Sequence, residues 1–222
     1  MQKTFFKHGS AGNAYGTLSC HKSTDAAQRG VMKIFMQVPF EGSEYASTEY
    51  RAFEASKALS LDLDFHISSQ IKALKTLISN SCQSVPSVVA IKYNRQEETD
   101  PVPGGPILFV LMKRLPGVPL SMAIFWNLED SVREQIRQAF KCAWIDCVRS
   151  GIIPAFQAIE HVFWDAAANK AYITSFLMGE APETNDIWRD SEWLAWDMAM
   201  TENFLTSLMD PNPHPDMSKR TL

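Results

Sequence analysis

Short apolar runs alternate with polar breakers along this chain, and the period of each run names an element. Residues 29–39 form a run rich in Val, Ile, Met and Phe that stops at Pro39, the pattern of a strand. Residues 85–94 predict a second strand. Residues 106–115 predict a third, apolar almost throughout and therefore expected to be buried on both faces. The polar, Pro- and Gly-rich stretch between them, 95–106, reads as a hairpin tip or loop. Helical spacing appears over 43–59, where Tyr50, Phe53, Ala58 and further alanines make an apolar stripe. It recurs over 68–80, where Ile71, Leu74, Leu77 and Ile78 follow a capping Ser68.

The clearest helix spans 131–150. Ser131 and Glu134 have the spacing of a capping box, and Val132, Ile136, Phe140, Ala143, Trp144 and Cys147 fall on one stripe before Gly151. His161–Asp165 and Ala171–Leu177 flank a polar tip as a β-hairpin, with Asp165 opening the turn. Residues 191–209 predict a last helix capped by Ser191, with Leu194, Met198, Leu205 and Leu208 near one stripe. The opening glycines, Gly9, Gly12 and Gly16, predict a turn between two strands. Strands thus gather in the first half and helices in the second. That is the order of an α+β protein with two lobes, 1–115 and 116–222, together one structural domain.

Composition narrows the function. The 222 residues are 45% hydrophobic, enough to bury a sizeable core. Lysine and arginine number 21 against 25 acidic residues, a net charge of -4. That balance excludes a dedicated nucleic-acid binder and a polybasic membrane anchor. The longest aliphatic run, 107–112, is too short to span a bilayer, and the first ten residues show no secretory signal. A cytoplasmic protein without nucleic-acid or membrane partners is expected. Cys20, Cys82, Cys142 and Cys147 contain no CxxC pair. Cys142 and Cys147 point about 140° apart on a helix, which disfavours a mutual disulfide or a shared zinc, so buried free thiols are expected. Trp188, Trp193 and Trp196 form no clean stripe, which leaves a pocket lining or a homo-oligomer contact open.

The order of elements, with particular residues at its joints, resembles the protein kinase-like fold, in particular small fungal kinase-like and aminoglycoside phosphotransferase-like proteins. The resemblance covers residues 5–205 and rests on several short motifs. Gly9 to Tyr15 is similar to a shortened glycine-rich loop, with Gly9, Gly12 and Tyr15 at its positions. Val31-Met-Lys33-Ile34 is similar to the strand whose lysine contacts nucleotide phosphates. Glu49, or Glu54, stands where that lysine's ion-pair partner is expected. Residues 111–120, with Met112 and the sequence LPGVPL, resemble the hinge of the phosphotransferase-like group.

The resemblance fails at the chemistry. The family's catalytic Asp matches Phe156, its metal-binding Asn matches His161, and its Mg²⁺-binding Asp matches Ser175, with Phe176 kept behind it. The preceding family His matches Pro154, and residues 151–159 contain no Asp or Glu. Phosphoryl transfer uses metal held by carboxylate oxygens, so loss of kinase activity is implied. The implied fold is a two-lobed α+β kinase-like fold. It has an antiparallel sheet plus helix in the N-lobe and a truncated, mostly helical C-lobe carrying a β-hairpin. The implied function is a pseudokinase-like protein that binds a small-molecule ligand in the inter-lobe cleft, with no metal and no cofactor. The alternative is a metal-independent enzyme of a fungal biosynthetic pathway that performs cyclisation, isomerisation or dehydration. His161, Lys33 and Glu49 are its candidate catalytic groups. Gly9, Gly12, Tyr15, Lys33, Met112, Phe156, Ser175 and Phe176 are the candidate ligand contacts.

Overall fold

A computed structural model of the chain describes residues 12–40, 42–58, 63–201 and 220–221. Strands β1 (Gly12–Lys22) and β2 (Asp25–Val38) form a long antiparallel hairpin that turns at Ser23 and Thr24. The turn expected around Gly12 and Gly16 is therefore strand. Gly12 pairs with Val38 and Gly16 with Ile34, and the reversal falls later, where the Asp25 carboxylate accepts from Ala27 N at 3.0 Å. Gly9 lies outside the described residues.

Strands β3 (Val88–Arg95) and β4 (Pro106–Lys113) complete an antiparallel sheet in the order β1-β2-β4-β3. The architecture is the expected α+β, with a four-stranded antiparallel sheet and several helices. Strand β4 is buried on one face only: Pro106, Leu108, Val110 and Met112 are buried, while Ile107, Phe109 and Leu111 are half-buried. An antiparallel sheet covered on one side gives this alternation, so the expected two-sided burial is corrected. The polar 96–105 loop is held by one side chain. Buried Gln96 accepts from Val102 N at 2.9 Å and donates to Gln37 O at 2.8 Å.

Helix α1 (Thr48–Ala58) starts later than its periodicity suggested. Ser43 is spent on a turn, both its N and its Oγ donating to Phe40 O at 2.9 Å, and Ser47 Oγ caps the helix by accepting from Tyr50 N. Tyr50 and Phe53 are about half exposed and Ala55 is buried, so the predicted aromatic stripe is not the core face. Helix α2 (Leu63–Ser79) begins upstream of Ser68, which is therefore not its cap. Leu74 and Leu77 are buried, but Ile78 is exposed.

The rest comprises β5 (Val118–Pro119), α3 (Met122–Trp126), α4 (Asp130–Arg149), a 3-10 turn at Ile159–His161, β6 (Val162–Asp165), β7 (Lys170–Ile173), α5 (Glu192–Ala195), β8 (Met200–Thr201) and β9 (Arg220–Thr221). Strands β5, β6 and β7 make a second antiparallel sheet, with α4 packed on β7. The chain divides into two compact units. One comprises residues 1–74 and 87–114, the other 75–86 and 115–222. The sequence placed its boundary after residue 115; the division falls after Arg114, and residues 75–86, the end of α2 and the connector after it, belong with the second unit.

Helix α4 buries Ile136, Phe140, Ala143, Trp144 and Cys147 as the pattern required, and Val132 is half-buried. The capping box does not form. The helix begins at Asp130, and the Glu134 carboxylate is engaged by Arg137 and Gln138 instead. The β6–β7 turn is opened by Asp165, whose Oδ1 accepts from Ala167 N and Ala168 N. Within the described residues the expected final helix is only the single turn of α5. It stops because Asp197 adopts a left-handed conformation, with φ of 57°, while Met198 N donates back to Trp193 O at 2.8 Å. Leu205 and Leu208 lie outside the described residues.

All four cysteines are free. Cys82 and Cys147 are buried as expected, but Cys142 is exposed because it sits off the buried stripe of α4. Among the described residues no helix is long and apolar enough to cross a membrane.

The LPGVPL turn is the tightest point of the second unit. Gly117 has φ of 83°, and a Cβ there would lie 2.0 Å from Trp164 O. Gly104 has φ of 78° but open space around it. Gly117→Ala is therefore expected to destabilise by roughly 3 kcal/mol or more, through strain plus backbone collision. Gly104→Ala is expected to cost about 1 kcal/mol from the backbone conformation alone. Urea unfolding of the two variants measures the difference; equal costs would contradict the collision.

Candidate functional site

In the first unit, the register of the sheet gathers three predicted residues on one face. Tyr15 is opposite Phe35, Lys33 is opposite Val110, and Val31 is opposite Met112. In an antiparallel pair, opposite residues share a face, so Tyr15, Lys33 and Met112 line the same side, together with Leu108 and Val110. Tyr15 packs its ring on Phe35 at 6.3 Å between centroids. Burial lowers the Lys33 ammonium to about 8, because the surrounding apolar face disfavours the charged form.

Gly12 lies at the far end of the same hairpin, paired with Val38. Glu49 is in the first turn of α1 and fully exposed. Its own backbone N–H and the Ser47 hydroxyl hold its carboxyl below the usual range. Glu54 accepts from Phe40 N at 3.4 Å through Oε2. These contacts tie both carboxylates to their own neighbourhood.

In the second unit, the loop after α4 brings together residues that the sequence treated separately. Phe156 stacks on His161 with centroids 4.9 Å apart and planes at 33°. His161 Nδ1 lies 3.0 Å from Phe156 O. A carbonyl only accepts, so Nδ1 carries the proton, and in the neutral ring Nε2 carries the lone pair. The His161 carbonyl accepts from Thr174 N at 2.9 Å and from Thr174 Oγ1 at 3.0 Å, which sets Ser175 immediately beyond it. Ser175 and Phe176 are both buried.

Two carboxyl groups that the sequence reading missed adjoin this loop. Glu192 is pushed up by burial, partly offset by Arg189, and its Oε2 accepts from Gln157 Nε2 at 3.5 Å. Asp197 is also pushed up by burial, while it accepts from the Ile159 N–H and feels Glu160. It thereby caps the 3-10 turn that carries His161, a turn with no side-chain cap of its own. No periodicity marks these residues. The available signal was an acidic residue on each side of Trp193 and Trp196 in a segment otherwise read as helix. Among the described residues no group of three or more His, Cys, Asp or Glu is arranged to hold a metal ion.

No family model and no curated protein matches this chain. Among solved structures, the chain is similar to the kinase PK-1 of Cydia pomonella granulovirus, with 10% identity and a TM-score of 0.48. The match covers 78% of this chain and 51% of that one, so this chain spans about half of that kinase's length.

Lys33 supplies a test by linkage. Its folded value of about 8 is below the free value of 10.5, so between these the unfolded chain binds more protons. Stability from this group therefore rises as pH goes from about 8 to 10.5, and its cost is fully present below 8. Lys33→Met is expected to flatten that rise in denaturant midpoints measured across the window. An unchanged slope would show that Lys33 is not buried in a low-dielectric setting.

Proposed function

We propose that this chain is a kinase-like protein that binds a small ligand without transferring phosphoryl groups. The observation that carries the reading is the Phe156–His161 pair. The segment where the resemblance expects a catalytic carboxylate holds an aromatic stack instead, closed by the Nδ1 contact to Phe156 O. Residues 151–159 offer no carboxylate, and Ser175 supplies a hydroxyl where a hard anionic oxygen is wanted. Lys33 is the first unit's candidate contact for an anionic group. A lysine near neutrality at about 8 is largely charged at pH 7 and has little water to lose on binding. Tyr15 and Met112 on its sheet face supply apolar contact, and Phe156, His161, Ser175 and Phe176 are the second unit's candidates. The roles of Gly9, Gly12 and Glu49 rest on the resemblance alone.

The test is thermal unfolding with ATP, with and without Mg²⁺, beside an assay of ATP consumption. A bound nucleotide at about 100 times its Kd contributes roughly 2.7 kcal/mol, an upward shift of several degrees. The expected result is a shift that does not need Mg²⁺, is lost in Lys33→Ala, and comes with no ATP consumption. Mg²⁺-dependent ATP consumption abolished by Lys33→Ala would overturn the reading. No shift with any nucleotide would restrict the ligand to other small molecules.

A second reading has its own observation. His161 contacts Phe156 O through Nδ1, and burial pushes the carboxyls of Glu192 and Asp197 up from their ordinary values. An imidazole and two raised carboxyls along one loop suit a metal-independent cyclisation, isomerisation or dehydration of a small organic metabolite. On that reading His161→Ala lowers turnover by about 10²-fold or more, with the folded state intact by circular dichroism.

A further inference from the structure

The second unit contains a thiol pair that neither reading of the site uses. Cys82 Sγ and Cys147 Sγ are 3.9 Å apart although 65 residues separate them in sequence. Cys82 ends the connection out of α2, in a segment without regular structure, and Cys147 lies on the last full turn of α4. Around them the two helix ends are already bonded. Asn80 Nδ2 donates to Ser150 O at 2.9 Å, and Cys82 Sγ donates to Asp146 Oδ2 at 3.3 Å.

We propose that Cys82 and Cys147 form a redox pair whose oxidation by a peroxide staples the 80–86 connector to α4. Geometry assigns the roles. Cys82 is 8% exposed and Cys147 is 0% exposed, so a small oxidant meets Cys82 first. The Cys147 S–H donates to the Cys82 sulfur, which lowers the Cys82 thiol and raises that of Cys147. The Cys82 thiol gives up its proton, its sulfur attacks one peroxide oxygen and the O–O bond breaks; the hydroxide released takes up that proton and leaves as water, and Cys82 becomes a sulfenic acid. The Cys147 sulfur then attacks the Cys82 sulfur and gives up its proton. The S–O bond breaks, a second water leaves, and the S–S bond forms. Two thiols lose two electrons and two protons, and hydrogen peroxide becomes two waters.

An S–S bond is about 2.05 Å, so the sulfurs must close by roughly 2 Å. The backbone at 82–87 has no regular structure and so can shift more readily than the continuous helix α4. Cys142 is exposed on the opposite side of α4 and Cys20 lies in β1, so both react independently of the pair.

The experiment uses the full chain with Cys20→Ser and Cys142→Ser, leaving only this pair. Hydrogen peroxide at stoichiometric excess is expected to remove both remaining thiols in the native protein, with a mass loss of two hydrogens. A linked 82–147 peptide and a Tm raised by about 5 °C or more, reversed by dithiothreitol, complete the expected result. Adding Cys147→Ala should trap Cys82 as a dimedone-reactive sulfenic acid. Peptide mapping of the oxidised wild-type chain gives the same linkage readout without any substitution. Two thiols that persist until the chain unfolds would overturn the proposal, as would Cys82 oxidised to sulfinic acid with no cross-link.

Discussion

The Asp146 carboxylate decides where the connector between α2 and β3 lies. That connector has no regular structure, so its polar groups need partners outside any ladder. Burial alone would raise the Asp146 carboxyl, but the Ser84 hydroxyl, the Cys82 thiol and the Gln83 N–H outweigh it and hold it below its ordinary range. Hydrogen bonds to a charged acceptor contribute about 1.5–3 kcal/mol each, so three on one carboxylate outweigh the entropy of fixing a few residues. Asn80 adds its bond to Ser150 O, and Ser84 O accepts from Ile173 N at 2.9 Å, which carries the connector onto β7. Residues 75–86 belong with the second unit for this reason, although they precede β3 and β4 of the first in sequence.

Helix α4 carries the other constraint of that unit. Arg137 is almost wholly buried, with Nε donating to Met198 O at 2.8 Å, NH1 to Glu134 at 3.0 Å, and its guanidinium 5.5 Å from the Phe125 ring. A buried charge that loses its partner costs about 3–5 kcal/mol, so the backbone at Met198 is held where Arg137 needs it. Beside it, Trp188 packs edge-on against Phe140, Trp144 and Trp193, and Lys141 lies over Trp188 and Trp193. Segment 188–199, with only the short α5 in it, is thus pinned to α4 by aromatic area and one guanidinium. Asp197 stands within this pinned segment, which is how its carboxylate reaches the Ile159 N–H.

What was legible in the sequence follows from which signals were periodic. Helix α4, strand β2, strand β4 and the β6–β7 hairpin each announce themselves by spacing, and each is present. Helix ends were harder. Helices α2, α4 and α5 end alike, with a left-handed residue at Ser81, Gly151 and Asp197 and a bond reaching back five residues from the next N–H. Only Gly151 announces that conformation by its residue type; the end of α2 was legible from periodicity alone, and the early end of α5 at Asp197 was not legible. The capping box at Ser131 failed because the helix already starts at Asp130, so Ser131 lies inside it, and the Glu134 carboxylate pairs with Arg137 one turn on. The aromatic stripe of α1 failed because Ala55, not Tyr50 or Phe53, faces the core. At the site, the sequence marked Phe156 and His161 as two substitutions. That they stack on each other depends on the 3-10 turn between them, which Asp197 caps from a distant position.

The carboxyls near that loop bear on what chemistry it can support. Divalent metals bind ionised oxygens, and the energy of a site falls when its carboxylates are neutral or already committed. Asp197 is committed to the Ile159 N–H and Glu192 to Gln157, and burial biases both toward the protonated form. Carboxyls already engaged this way are poor metal ligands, and they lie near a histidine whose Nδ1 contacts a carbonyl. Phe156 serves this loop twice. Its ring supplies the face on which His161 rests and its carbonyl meets His161 Nδ1, so the placement of the two residues is shared. A carboxylate at position 156 would remove that stacking face and add a negative charge near Glu192 and Asp197, whose carboxyls burial already pushes up.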